Sequence, residues 1–257
     1  MEADVKAGPA KSALLSVRNL TVALGGHTIL RDLSFDLFTG DMLAIIGPNG
    51  SGKTILLKAL LGLVAYEGAI AWSTGSQLGY VPQKVAADRQ MPLQVRNLLE
   101  AKARFLRLPS RSVELVAEQV GLTKELMSSG IGVISGGQFQ KVLIAYALLG
   151  EPNVLLFDEP TASLDEMEEE HIYDLLEQLQ RKQKLTVLLV SHDLSVVHRS
   201  ANMVLCLGKG RPCLGPPQDI LTPEMLESAY GTAPKYHRHS QSSQPVSQPG
   251  RKHNDVP

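Results

Sequence analysis

The chain has 257 residues, with 25 basic and 26 acidic side chains, a formal net charge of −1 and 44% hydrophobic residues. This length suits one hydrophobic core with at most a smaller subdomain, and the apolar fraction excludes disorder throughout the chain. Because the charges balance, nothing in the composition favours binding to nucleic acid or to an anionic lipid surface. We therefore expect no nucleic-acid partner.

Membrane spans and secretion signals are also not expected. The longest apolar run, residues 142–149, is far shorter than the roughly 18 residues that a membrane helix needs. Residues 1–11 mix charged residues and proline and lack the apolar core of a signal peptide. The two cysteines, Cys206 and Cys213, cannot build a disulfide framework, and we expect them to be buried or incidental rather than metal ligands. These features favour a soluble protein in a reducing compartment.

The predicted elements change character along the chain. Up to residue 81 the pattern favours short strands and one helix, and from residue 91 to about 149 apolar residues recur at helical spacing. Strands and a helix then alternate, which implies a mostly parallel sheet covered on both faces. We predict strands at 14–22, 34–38, 41–46, 69–72, 78–81, 154–157, 186–190 and 203–207, the last strand, and helices at 55–64 and 166–184.

A glycine-rich turn between a predicted strand and a predicted helix has the composition of a phosphate-binding loop. Its glycines allow successive backbone N–H groups to surround phosphate oxygens, and the helix presents its positive end to the same anion. We expect Lys53 to reach the terminal phosphates and the Thr54 hydroxyl to bind Mg²⁺. The loop consists of Gly47, Pro48, Asn49, Gly50, Ser51, Gly52, Lys53 and Thr54, which fit the pattern G-x-x-x-x-G-K-[ST].

Two acidic residues, Asp158 and Glu159, follow the apolar strand predicted at 154–157. The carboxyl end of such a strand faces the crevice where open α/β sheets bind ligands, and adjacent side chains point in opposite directions. We expect Asp158 to belong to the Mg²⁺ shell and Glu159 to act as general base on the attacking water. The acids in residues 165–170 are typical of a helix start, and we assign no catalytic role to the glutamates among them.

A second helix start suits an anion as well. Ser135 and Gln138 have the spacing of a capping box. Gly136 and Gly137, in the first turn, weaken a helix, but they are expected where a ligand approaches the backbone. The sequence therefore predicts a second phosphate-suited helix N-terminus.

In this order, the motifs resemble those of the ATP-binding subunits of ABC transporters. The resemblance covers about residues 14–221, with Ile134 in place of the leucine that usually opens the signature. Residues 47–54 are similar to the Walker A motif, 154–159 to Walker B, 134–138 to the LSGGQ signature, Ser163-Leu164-Asp165 to the D-loop, Gln83 to the Q-loop glutamine and His192 to the switch histidine.

The resemblance implies an α/β fold of the P-loop NTPase type: a mostly parallel RecA-like sheet with an N-terminal antiparallel β subdomain and an inserted helical subdomain. It implies a cassette over residues 12–234, with the helical subdomain at about 86–150. The composition of the flanking segments predicts a flexible arm (1–11) and a disordered tail (235–257) that is rich in serine, glutamine and proline. ATP and Mg²⁺ would be bound. Two copies would pair head to tail, so that the signature helix of one closes on the ATP of the other.

The resemblance also implies roles for single residues. Gln83 would sense Mg²⁺ and contact with an integral membrane permease, His192 would hold the γ-phosphate, and Asp165 would belong to the nucleotide site. Leu24 stands where the family usually has an aromatic residue against adenine. Because stacking is worth roughly 1–3 kcal/mol per base, Leu24 predicts weaker ATP binding.

The cargo is suggested by residues 79–84, 91–95 and 204–207, which resemble the zinc/manganese-type importers, and within that group the zinc-uptake ATPases of bacteria. The resemblance implies an ATPase on the cytoplasmic face of the membrane that powers zinc import through a permease. An extracytoplasmic metal-binding protein would deliver the zinc to that permease. Manganese or an iron chelate is the alternative cargo. A soluble ABC ATPase outside transport is a second alternative, which the single motif set disfavours. The tail holds His237, His239 and His253, which either bind zinc weakly or have no metal role.

Overall fold

The structure is a computed structural model that describes residues 12–83, 92–160, 164–208 and 212–230. Its elements up to residue 81 are β1 (Leu15–Leu24), β2 (His27–Leu37), β3 (Met42–Ile46), α1 (Lys53–Leu60), β4 (Glu67–Trp72) and β5 (Leu78–Val81). The later elements are α2 (Val95–Phe105), α3 (Arg111–Gln119), α4 (Lys124–Ser128), α5 (Gly136–Leu148), β6 (Val154–Asp158), α6 (Glu166–Gln183), β7 (Thr186–Val190), α7 (Leu194–Ser200), β8 (Met203–Cys206), β9 (Cys213–Gly215), α8 (Pro217–Ile220) and α9 (Pro223–Tyr230).

The first sheet is antiparallel and three-stranded, in the order β2-β1-β4. A tight turn at Gly25 and Gly26 connects β1 to β2, and the φ angles of these residues, 58° and 80°, favour glycine. Most of its buried apolar side chains lie on one face and join the cluster that packs on α1. This sheet is the N-terminal antiparallel subdomain that the sequence predicts.

The second sheet has six strands in the order β5-β6-β7-β3-β8-β9. Neighbours from β5 to β8 are parallel, and only β9 is antiparallel to its neighbour. Strands β3, β6 and β7 are buried along their whole length, as expected for central parallel strands covered on both faces. The mostly parallel sheet is therefore confirmed, and the carboxyl ends of β3, β6 and β7 meet at one edge.

Between β5 and β6 the regular elements of the described chain are all helices, and the β pairing found there is one isolated bridge between Gln94 and Gly130. Helices α2 to α5 share a core that also includes residues of α6 and of strands β6 and β7. The helical subdomain is thus packed on the same sheet that carries the phosphate loop. None of the helices in the described ranges is both long and apolar enough to span a bilayer.

Several sequence predictions need correction. Helix α1 spans Lys53–Leu60 rather than 55–64, because Gly52 starts it in a left-handed conformation and Gly62, with φ 70°, ends it. Strand β2 begins at His27, since hairpin pairing with β1 extends it beyond its apolar part.

The end of the described chain also differs from the prediction. Strand β8 is not the last strand: β9 pairs with it in an antiparallel hairpin, and helices α8 and α9 follow. The short strand β9 lies in a stretch rich in glycine and proline, and its pairing with β8 rather than its composition makes it a strand. The predicted arm, residues 1–11, and the tail with its three histidines, within 235–257, lie outside the described residues.

Candidate functional site

The glycine-rich loop joins β3 to α1 at the carboxyl edge of the six-stranded sheet. Gly47 has φ 147°, and a Cβ atom there would lie 1.9 Å from the Leu207 carbonyl oxygen of the neighbouring strand end. Gly52 has φ 98°, and a Cβ atom there would lie 2.8 Å from the Leu30 side chain. These two positions therefore admit only glycine, and at them the loop packs closely against Leu207, which follows β8, and Leu30 of β2.

Two side chains in this loop have properties of an anion site. Lys53 is 5% exposed, and its Nζ donates to the carbonyl oxygens of Gly47 (2.9 Å) and Pro48 (3.2 Å). Burial lowers the pKa of Lys53, and the nearby Glu159 carboxylate partly offsets this shift. The buried Ser51 hydroxyl finds no hydrogen-bond partner among the described residues. An orphaned donor and a buried cation in one loop fit a phosphate group.

Asp158, 2% exposed at the end of β6, accepts a hydrogen bond from Thr54 Oγ1 at 2.9 Å. The Tyr80 hydroxyl of β5 donates to its other oxygen at 3.4 Å. Burial raises the pKa of Asp158, and burial next to Asp158 raises the pKa of Tyr80 to about 12. A hydroxyl and a carboxylate side by side are the hard oxygen ligands that Mg²⁺ prefers. No cluster of three or more metal-ligating side chains occurs among the described residues, and Mg²⁺ commonly keeps several water ligands.

Glu159 is the most constrained acid of the site. Its backbone is left-handed, with φ 47°, and its side chain is 13% exposed. Gln83 Nε2 donates to Glu159 Oε2 at 2.5 Å, and His192 Nε2 lies 2.5 Å from Glu159 Oε1. Lys53 Nζ lies 3.6 Å from the same Oε1. Glu159 is one of six non-glycine residues with a positive φ among the described residues, so its three side-chain contacts, rather than its backbone, distinguish it.

These residues surround one open cleft of about 700 Å³, a volume within the range of small-molecule sites. Leu24, at the end of β1, is 41% exposed and lies on the wall of this cleft. The lining residues are Leu24, Ile29, Asn49, Gly50, Gly52, Lys53, Thr54, Ile55, Gln83, Glu159 and His192.

The predicted signature residues do not line this cleft. Ser135 and Gln138 form the expected capping box at the start of α5: the Gln138 N–H donates to Ser135 Oγ at 3.2 Å, and the Ser135 N–H donates to Gln138 Oε1 at 3.0 Å. Gly136 is exposed and Gly137 is buried. Asp165 caps α6 through a 2.8 Å hydrogen bond from the Glu168 N–H, and Ser163 of the predicted D-loop lies outside the described residues. Among the described residues, the start of α5 is thus separate from the cleft at the glycine-rich loop.

Three contacting residues were missed by the sequence analysis. Tyr80 donates to Asp158, and its position in a strand beside β6 was the available signal. The Tyr230 hydroxyl accepts a hydrogen bond from the Gly47 N–H at 3.0 Å across 183 positions of sequence, for which no local signal exists. Glu168 contacts the signature residues, although its sequence context predicts a solvated helix start.

Known proteins resemble this chain along most of its length. The ABC transporter family matches residues 30–162. The chain is 37% identical over 238 residues to the zinc import ATP-binding protein ZnuC of Chromohalobacter salexigens, covering 90% of this chain and 98% of that protein. It is 39% identical over 225 residues to ZnuC of Paracoccus denitrificans, covering 85% of each.

A solved structure agrees with these sequence matches. A chain of an ABC transporter of the metal-chelate type, in an inward-facing conformation, shares 30% identity and a TM-score of 0.77, over 85% of this chain and 89% of that one. The glycine-rich loop that connects β3 to α1, the two acids at the carboxyl end of β6 and these extensive matches have one explanation: the chain belongs to the ABC transporter family.

Proposed function

We propose that this chain is the ATP-hydrolysing subunit of an importer for a divalent metal ion, and that the ion is zinc. The role in hydrolysis rests on one observation: the Glu159 carboxylate lies within 3.6 Å of side-chain nitrogens of Gln83, His192 and Lys53. The zinc cargo is supported by the relatives named zinc import ATP-binding proteins, which align over most of the chain.

ATP would bind with its phosphates in the loop of residues 47–54 and its base near Leu24. The Ser51 hydroxyl and the backbone N–H groups of the loop are donors for phosphate oxygens. Lys53 would exchange its bonds to two loop carbonyls for the phosphates. Leu24 offers an apolar contact to the base but no aromatic face, so we expect the phosphates to provide most of the affinity.

Thr54 and Asp158 would hold Mg²⁺, with Gln83 at the edge of the same cleft. When bound, Mg²⁺ neutralises charge on the phosphates. Glu159 would take a proton from the attacking water as general base, while His192 orients its carboxylate and contacts the γ-phosphate. Lys53 would stabilise negative charge on the transferred phosphoryl group.

We propose that the working form pairs two copies head to tail. The signature residues Ser135, Gly136, Gly137 and Gln138 carry an anion-suited helix start but do not line the cleft of their own chain, which supports a cleft completed by a second copy. Asp165 would lie at the interface between the copies. Integral membrane permease subunits would hold the pair at the cytoplasmic face of the membrane, and an extracytoplasmic protein would deliver the metal to them.

The cargo is tested in cells from which this chain has been deleted. Cells complemented with the wild-type chain or with Glu159→Gln are grown in chelator-limited medium, and cellular zinc, manganese and iron are measured by mass spectrometry. We expect low zinc in the deletion and in the Glu159→Gln cells, and recovery with wild type and with the exposed control Glu170→Gln. A selective loss of manganese or iron would assign the other cargo. Unchanged metal contents would contradict a role in metal import and favour a soluble ABC ATPase.

A further inference from the structure

The capping box at the start of α5 leaves two hydrogen-bond donors available. Within the box, the Gln138 N–H and the Ser135 N–H are both satisfied by side chains of the same turn. The Ser135 hydroxyl proton and the Gly137 N–H are not used by the box. Both donors lie at the positive end of a 13-residue helix, where a negative charge is stabilised.

Both donors are taken by one carboxylate from another element. Ser135 Oγ donates to Glu168 Oε1 at 3.1 Å, and the Gly137 N–H donates to Glu168 Oε2 at 3.2 Å. Glu168 lies in the first turn of α6, and its own N–H is bound by Asp165 Oδ1 at 2.8 Å. A carboxylate that binds two donors with its two oxygens forms a charge-assisted fork, which is among the stronger hydrogen-bond arrangements.

The turn is shaped around this carboxylate. A Cβ atom at Gly137 would lie 2.8 Å from Glu168 Cδ and Oε1, so the carboxylate fills the space that the missing side chain leaves. None of the ion pairs found among the described residues includes Glu168. Its negative charge is therefore matched there by neutral donors and the helix end alone, as the charge of a phosphate would be.

We propose that Glu168 is an internal competitor of the nucleotide. Its carboxylate binds two donors of the signature turn, which comprises residues 135–138. The terminal phosphate of ATP bound to a second copy would use the same two donors. This inference rests on the proposed head-to-tail pair and adds a contact that regulates when the pair closes on ATP. Two copies close on ATP only when Glu168 leaves Ser135 Oγ and the Gly137 N–H. The contact thus raises the ATP concentration that closure requires and restrains ATP turnover by isolated copies.

The competition is tested on the full chain carrying Glu159→Gln, which is expected to retain an ATP-bound dimer. Dimer formation is followed by analytical ultracentrifugation as a function of MgATP concentration. Adding Glu168→Ala should lower the half-maximal ATP concentration about tenfold, since it removes a charged competitor for two donors. Glu168→Gln, which keeps the shape and loses the charge, should lower it by a smaller factor and serves if the alanine variant does not fold. Glu170→Ala, an equal loss of charge two residues along α6, is the control.

Thermal unfolding distinguishes competition from a structural role. A residue that merely supported the signature turn would, when replaced, lower both Tm and ATP-driven dimerisation. We expect Glu168→Ala to lower Tm slightly and to make dimerisation easier. An unchanged or raised half-maximal ATP concentration with Glu168→Ala would overturn the competition while leaving the proposed function intact. Failure of the Glu159→Gln chain to dimerise with MgATP, whether Glu168 is present or replaced, would overturn the head-to-tail pair and the competition together.

Discussion

His192 Nε2 lies 2.5 Å from Glu159 Oε1, although the two residues follow different strands. The register of the parallel strands β6 and β7 aligns Asp158 with Val190, and the Glu159 N–H donates to the Val190 carbonyl at 3.2 Å. Glu159, the first residue after β6, and His192, the second residue after β7, therefore meet at the same edge of the sheet. This meeting fixes the orientation of the carboxylate that we propose as general base.

Replacing Glu159 with glutamine should reduce ATP turnover by about 10²–10⁴-fold, the usual contribution of a general base. The amide keeps the size of the side chain but cannot take a proton. Phosphate release measures turnover and calorimetry measures ATP affinity, which should change much less. Glu170→Gln, an exposed position on α6, is the control. A near-normal rate in the Glu159→Gln chain would exclude Glu159 as the base.

Asp158→Asn should make the chain more stable at neutral pH and abolish its ATPase activity. Burial raises the pKa of Asp158 above its ordinary value of 3.8, so the folded protein binds a proton more tightly than the unfolded chain does. The free energy of unfolding therefore falls as the pH rises from about 3.8 through the raised pKa of Asp158. Above that pKa, the buried carboxylate is charged and the full loss of stability is present. The asparagine variant avoids this cost, and we expect a gain of about 1 kcal/mol, or about 2–4 °C in Tm.

Thermal unfolding from pH 3.5 to pH 8 measures this effect. The difference between wild type and Asp158→Asn should be largest at neutral pH and should shrink toward the acid end. The exposed Asp219→Asn serves as control, because surface substitutions usually change stability by less than about 0.5 kcal/mol. A difference that does not depend on pH would show that the charge of Asp158 carries no such cost.

Leu24→Tyr should bind ATP more tightly. Leu24 is 41% exposed on the wall of the cleft, and an aromatic ring there adds a stacking contact worth roughly 1–3 kcal/mol. We expect the Kd for ATP to fall at least fivefold, with Leu24→Ala weakening binding instead. Calorimetry with ATP and with GTP measures both affinity and base preference. An unchanged Kd in the tyrosine variant would mean that the base binds elsewhere.

Cys213 should be alkylated faster than Cys206. The two residues are register partners in the β8–β9 hairpin, Cys206 is buried and Cys213 is partly exposed. The hydrogen bond that Cys206 donates stabilises the Cys213 thiolate and lowers the pKa of Cys213 to about 7, while the pKa of Cys206 is raised. The rate with iodoacetamide should therefore rise through pH 7, because the thiolate is the reactive form.

Mass spectrometry of the alkylated peptides identifies the reacting residue. In the Cys206→Ala variant the donated hydrogen bond is lost, and the midpoint of the rate profile should move up toward about 8.5, the ordinary value for a thiol. The Cys213→Ser variant should react only slowly. Faster labelling of Cys206 than of Cys213 in the wild-type chain would contradict this assignment.

The sequence by itself determined the parts whose causes lie within a few residues. Glycines at fixed spacing between an apolar strand and a helix define the loop at 47–54, and the capping box of Ser135 and Gln138 follows from their separation of three. Helix α6 begins at Glu166 as predicted, because Asp165 caps it. The alternation of strands and helices also predicted that the larger sheet is mostly parallel, although it did not predict which strands pair.

Tertiary structure decided which of these local features meet. Strand order and register bring Gln83 and His192 to the Glu159 carboxylate. The same packing brings the Tyr230 hydroxyl to the Gly47 N–H. It also places Glu168, which the sequence predicts to be solvated, in hydrogen-bond contact with Ser135 and Gly137. These contacts join residues that are 31 to 183 positions apart. Composition and spacing could not reveal them, because they depend on how sheets and helices pack rather than on local preferences of the chain.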